Sequence, residues 1–244
     1  ACLVGSEMCI RDRVYPNTYF VGMSNLGLHI IYDLLNRRGD TACERVFLPD
    51  RTELPRYERT QTPMMSVETQ TPLADFAVIG FAISFEMDYF NVVKMLAQSR
   101  VRLRSAERGA RDPLIIAGGP CATFNPEPLA EMVDAFVIGE GEAVVPALMD
   151  AYHESLRCGE DRADLLRRLA RVPGVYVPTL YTPIYDKEGQ FTELTPEDGA
   201  PAVIARQWVE DLDTHPAHTV VVTEDTEFNF YLIETARGCG RHCR

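Results

Sequence analysis

Short apolar runs alternate with stretches in which apolar residues recur every three or four positions from Val14 to about Leu156. Tyr19-Phe20-Val21-Gly22-Met23 reads as a first strand, Cys43 to Leu48 as a second and Phe76 to Ser84 as a third. Leu114-Ile115-Ile116-Ala117 and Ala135-Phe136-Val137-Ile138 supply a fourth and a fifth. The third run is apolar almost throughout, which suits a strand covered on both faces. Between the first two runs, Leu26, Ile30, Ile31, Leu34 and Leu35 have helical spacing behind Ser24 or Asn25, either of which can cap a first turn. Gly39 sits where a glycine ending that helix belongs. Val92, Val93, Met95 and Leu96 mark a helix after the third strand. Ala143 to Leu156 mark another, with Val144, Val145, Leu148, Met149 and Tyr152 on its apolar side.

Strand–helix alternation with short connections predicts an α/β fold built on a doubly wound parallel sheet. Right-handed crossovers leave few arrangements of such a Rossmann-like sheet, the flavodoxin-like order among them. From Arg157 to Thr226 the pattern changes. A charged helix around Ala163 to Arg171 is followed by short strand-like pieces punctuated by Pro173, Pro178, Pro183, Pro196 and Pro201, an ordered connector in place of a second full domain. Thr219 to Thr223 and Phe228 to Glu234 return to β-type sequence, and residues 227–244 begin something new. Residues 1–13 lack an initiator Met and clear periodicity, and they resemble translated sequencing-adapter read-through. We set them aside as non-native, and expect the chain to be truncated at both ends.

With 244 residues, 46% hydrophobic and 25% charged, the chain has the composition of an ordinary globular protein of one or two domains. No apolar run has transmembrane length. The net charge of −12 reads as a solvated acidic surface and does not indicate nucleic acid, whose phosphates need a basic face. Seven cysteines are too sparse for a disulfide scaffold, and no secretory signal is visible, so a reducing cytoplasm is the expected setting. Cys43, Cys121 and Cys158 are expected to be buried or half-buried.

Ligands of an open parallel sheet bind beyond the carboxyl ends of its strands. Ser84 follows the third strand, Gly118-Gly119-Pro120 the fourth and Gly139-Glu140-Gly141-Glu142 the fifth. Glycines there let a backbone approach a large ligand, or simply turn the chain. Ile115-Ile116-Ala117-Gly118-Gly119-Pro120, Phe124-Asn125-Pro126-Glu127-Pro128 and Val137-Ile138-Gly139-Glu140-Gly141-Glu142 together resemble the cobalamin-binding domain upstream of many radical S-adenosylmethionine (SAM) enzymes. The resemblance spans about Val14 to Leu156 and implies that Ser84, Gly118, Gly119, Gly139 and Gly141 surround the nucleotide tail of cobalamin. It departs in one place. The family's Asp-x-His-x-x-Gly loop reads Gly22-Met23-Ser24-Asn25-Leu26-Gly27 here, so any cobalamin would bind without an axial histidine. Nearby His29 reads as a helix residue facing the sheet or solvent.

Cys239-Gly240-Arg241-His242-Cys243, led in by Glu234-Thr235-Ala236-Arg237-Gly238, is similar to the opening of the radical SAM C-x-x-x-C-x-x-C loop. Thiolates so closely spaced suit an iron–sulfur cluster. The resemblance implies that Cys239 and Cys243 are two of three [4Fe–4S] ligands, that His242 is a spacer, and that Phe230-Tyr231-Leu232-Ile233 is the first strand of a (β/α) barrel, whose active sites lie at this end of the strands. It further implies SAM as cofactor, an electron donor such as flavodoxin or ferredoxin, and a full-length enzyme, in which bound cobalamin would serve methyl transfer or rearrangement. The 244 residues alone are not expected to catalyse; the catalytic residues and substrate are not legible. The competing expectation is a non-catalytic Rossmann-like module for cofactor binding or interaction, with a vestigial cobalamin site.

Overall fold

The computed structural model describes residues 9–197, 199–226 and 231–238, with side chains from Val14 onward. Five parallel strands, β1 (Cys9–Tyr15), β2 (Thr41–Phe47), β3 (Val78–Ala82), β4 (Leu114–Gly118) and β5 (Ala135–Val137), are joined by an antiparallel edge strand, β6 (Val175–Tyr176). The order β2-β1-β3-β4-β5-β6 matches the flavodoxin-like arrangement over the parallel strands.

The expected first strand is not one. Tyr19–Gly22 forms a single helical turn, α1, closed by Gly22 N–H to the Thr18 carbonyl at 2.9 Å. Packing overrides its β-type composition. The Tyr19 ring meets Phe47 edge-on at 5.0 Å, and Gly22 lies so close to Phe47 that a Cβ would stand 2.4 Å from the ring. The backbone of Cys9–Tyr15 instead runs between β2 and β3, with Val14 opposite Val46 and Phe81, so residues 9–13, set aside from the fold on their sequence, supply much of the central strand.

α2 (Leu26–Asn36) starts where expected, with the Asn25 carboxamide oxygen accepting from Leu28 N–H at 3.1 Å. Its end differs from expectation: Arg37 caps it in a right-handed conformation, and Gly39 lies beyond. α3 (Leu54–Thr60), α4 (Asp88–Gln98) and the one-turn α5 (Pro120–Phe124) follow. α6 (Gly141–Cys158) then ends on Gly159 in the left-handed region, and α7 (Arg162–Leu169) is capped by Asp161. Cys43 and Cys121 are buried as expected, whereas Cys158, at the end of α6, is exposed. Among the described residues no helix is long and apolar enough to cross a membrane.

Alternation along the strands divides the core. Ile79, Phe81, Ile115, Ala117 and Phe136 pack with Val92, Met95 and Leu96 of α4. Val78, Leu114, Ile116, Ala135 and Val137 face α2, α6 and α7. α7 and β6 therefore belong to the layers of the sheet, although their sequence places them in the connector. The rest of the connector forms a hairpin, β7 (Tyr181–Tyr185) and β8 (Phe191–Pro196), then irregular chain. The anticipated barrel strand is present in its described part as one antiparallel bridge, Ile233 to His218. Phe230 is outside the described residues.

One buried acid pins the amino ends of β4 and β5. Asp134 is fully buried; its carboxylate accepts from Ile115 N–H at 2.7 Å, from Arg108 at 3.0 Å and from Arg162 at 2.7 Å, and the Ser105 hydroxyl also donates to it. Two guanidiniums thus share one buried counter-charge. Asp134→Asn is expected to cost about 3–5 kcal/mol by leaving them uncompensated. Asp150→Asn, which removes an exposed partner of Arg38, should cost at most about 1 kcal/mol. Urea unfolding of both variants checks this, and equal small shifts would refute it.

Candidate functional site

Towards α2 and α6, β3 presents Val78, Gly80 and Ala82, and β4 presents Leu114, Ile116 and Gly118. Side chains on this face shrink or vanish toward the carboxyl ends of the strands. The helices above cannot fill the gap, and a cavity of about 350 Å³ results. Ile30, Ile31 and Leu35 of α2 and Val145, Leu148 and Met149 of α6 wall it. Its position is where open α/β sheets take ligands. Its volume falls at the small end of ligand pockets, roughly 300–1,000 Å³.

The loops beyond the strands bring charge to this apolar space. Glu140, Glu142, Glu234 and Arg237 all line it. Arg237 donates to Glu140 at 2.8 Å, to both carboxylate oxygens of Glu234 at 2.9 and 2.8 Å, and to Glu142. Hydrogen bonding to Glu234, then to Glu142, raises its pKa further above the ordinary arginine value. Glu140 stands at the N-cap position of α6, without a side-chain capping bond, and Glu142 lies in its first turn, where the helix N-terminus favours negative charge. The Glu140 carboxylate also accepts from Val209 N–H at 2.8 Å, which ties the connector to the same point.

The connector packs against the cavity loop through its backbone. Gln207 N–H donates to the Ile138 carbonyl at 3.0 Å, and Glu140 N–H donates to the Gln207 carbonyl at 2.9 Å. Among the described residues no group of three or more His, Cys, Asp or Glu side chains is placed to hold a metal.

Residues 27–178, more than half of the chain, match the family described as radical SAM proteins, N-terminal. The chain belongs to this family. A protein from Methanocaldococcus jannaschii, described as uncharacterized, is 23% identical over 231 residues, which cover 95% of this chain and 39% of that protein. The chain thus spans about two fifths of that relative's length. No solved structure matches it.

Of the residues singled out in the sequence, Gly118, Gly119, Gly139 and Gly141 line this cavity. Ser84 does not; its hydroxyl accepts from the Asn25 side chain at 3.2 Å. His29 is buried, its Nε2 3.0 Å from the Met23 carbonyl, which leaves it a core residue of α2. Cys239 and Cys243 lie outside the described residues. Three of the four glycines have packing reasons of their own. A Cβ on Gly139, at φ +120°, would stand 2.0 Å from the Gln207 carbonyl oxygen, and one on Gly119, at φ +101°, 2.6 Å from that of Ile83. One on Gly141 would meet Ile31 of α2 at 2.5 Å. Gly118 has room, with 3.5 Å to Val137.

Sequence reading missed Gly80 and Ala82 as makers of the cavity. Their signal was present, since every second residue of β3 is small after Val78. It also missed the pairing of Arg237 with Glu140 and Glu142, although all three stand in motifs that it had marked.

Gly139→Ala is expected to cost about 1–3 kcal/mol or more, through a strained backbone and loss of the Gln207 contact. Gly118→Ala should stay within about 1 kcal/mol of wild type. Thermal unfolding compares the two, and a tolerated Gly139→Ala would show that Gln207 does not dock as described.

Proposed function

We propose that this chain is the cofactor-binding N-terminal part of a radical SAM enzyme. Membership of the family supports that class of chemistry. The observation that carries the reading further is that Glu234 and Arg237, which lead into Cys239, help to wall the sheet's cavity. In this reading Cys239 and Cys243 are two of the three thiolates of a [4Fe–4S] cluster, and the loop after β5 and the cysteine loop serve one active site. The donor set fits: closely spaced thiolates are the usual ligands of such clusters. When bound, the cluster supplies the electron that cleaves SAM to a 5′-deoxyadenosyl radical. Flavodoxin or ferredoxin is the class of protein that would reduce it, in the cytoplasm.

The cavity would hold the nucleotide tail of cobalamin, with Gly118 leaving room for close approach, Gly119, Gly139 and Gly141 shaping the loops that line it, and the apolar faces of α2 and α6 enclosing the base. When bound, cobalamin supplies a carrier for methyl transfer or for a rearrangement. His29 is engaged in the core, so binding without a protein histidine ligand is the mode consistent with these residues. A second reading, a non-catalytic module with a vestigial cobalamin site, draws support from the packing reasons for Gly119, Gly139 and Gly141.

Anaerobic reconstitution of the full-length protein with iron and sulfide tests the enzyme reading. Cluster absorbance, and 5′-deoxyadenosine on addition of SAM and dithionite, are expected from wild type and from neither Cys239→Ser nor Cys243→Ser. A wild type that binds no cluster would sink the proposal. Titration with hydroxocobalamin separates the two uses of the cavity: a base-off visible spectrum is expected, whereas an unchanged free-cofactor spectrum favours the vestigial site.

A further inference from the structure

Arg237 belongs by sequence to the segment leading into the cysteines, yet its guanidinium is held by carboxylates 95 and 97 residues away on the cavity loop. We propose that Arg237 is a positioning residue that docks residues 231–238, the segment leading into the cysteines, on the wall of the cavity through Glu140 and Glu142. The functional value of this docking rests on Cys239 being a cluster ligand; the docking itself does not. One residue, Gly238, separates Arg237 from Cys239, and two steps of chain span at most about 7 Å, so an anchor at Arg237 limits the reach of the first cysteine.

The geometry selects arginine. Nε and one Nη engage both oxygens of Glu234, which squares the guanidinium, and the two terminal nitrogens then reach Glu140 and Glu142. A lysine ammonium has the charge but not the planar fork that meets three carboxylates together. Burial adds weight, because the Arg237 side chain is 19% exposed and that of Glu142 only 7%. Water screens such a pair less than a surface one.

Among the described residues, the other contacts of this segment run to 217–219, including the stacked rings of Tyr231 and His218 and the Leu232 N–H donated to the Thr219 hydroxyl at 3.0 Å. Around the bridge between Ile233 and His218, Thr219 N–H donates to the Leu232 carbonyl at 3.0 Å and Glu234 N–H to the Ala217 carbonyl at 3.0 Å. Without the guanidinium, three carboxylates would face one another at the cavity wall. The N-terminus of α6 would offset that only in part, and repulsion would drive Glu234, and the chain beyond it, away from the loop.

Alkylation of Cys239 by iodoacetamide, followed by mass spectrometry on the reduced, metal-free 244-residue chain, reads the docking directly. Exposed Cys158 serves as the internal reference. Arg237→Ala is expected to raise the Cys239 rate relative to Cys158 about fivefold or more. The isosteric pair Glu140→Gln with Glu142→Gln should raise it similarly, and Arg237→Lys should fall between wild type and Arg237→Ala. Combining Arg237→Ala with the two glutamines should add little, because all three substitutions remove one interaction. An unchanged rate in Arg237→Ala, an equal rise at Cys158, or additive effects would overturn the proposal. Failure of the enzyme reading shows elsewhere, as a wild-type full-length protein without a cluster, and leaves the alkylation result standing.

Discussion

A parallel sheet covered by helices must fill both of its faces, and this one fills them unequally. Toward α4, the strands carry Ile79, Phe81, Ile115 and Phe136, and the space is closed. Toward α2 and α6, the last positions of β3 and β4 are Gly80, Ala82 and Gly118, which contribute almost no volume. Helices cannot sink onto such a surface, because they are held at a distance by their own contacts. Gly141 already brings α6 as near to α2 as Ile31 allows. The result is a void of about 350 Å³, where protein interiors are ordinarily close-packed. Gly118, Gly119, Gly139 and Gly141 and the ion pairs of Arg237 are arranged around it.

Much of the fold was legible because its signals are local. β2 through β5 announce themselves as short apolar runs, and Asn25 caps α2 as its position suggests. The first strand was not legible, for two opposed reasons. Tyr19 to Met23 has strand-like composition but is turned into a helix by Phe47, a contact made 28 residues further along the chain. Cys9 to Arg13 carries three charges in succession, which no periodicity argument places in the middle of a sheet.

The site divides along the same line. Its glycines could be gathered on one edge from topology alone, but their reasons could not be told apart. Gly118 leaves room, Gly139 admits the connector backbone, Gly141 admits a neighbouring helix, and all three read identically in sequence. The ion pairs of Arg237 cross nearly a hundred positions, and opposite charges are too common in a chain of this composition for such a pairing to be read in advance.

β6 gives the connector a further meaning. Its two residues pair with Phe136 and Val137 and occupy the side of β5 that would otherwise end the sheet. An unpaired edge of apolar β-strand is a template for association with other chains. α7 covers the adjoining face with Leu165, Leu166 and Leu169. A boundary drawn at Leu156, where the strand–helix alternation stops, would remove both covers at once. The stretch that sequence marks as a tether therefore closes one edge and part of one face of the sheet, and the packed unit runs past Leu156 at least through Tyr176.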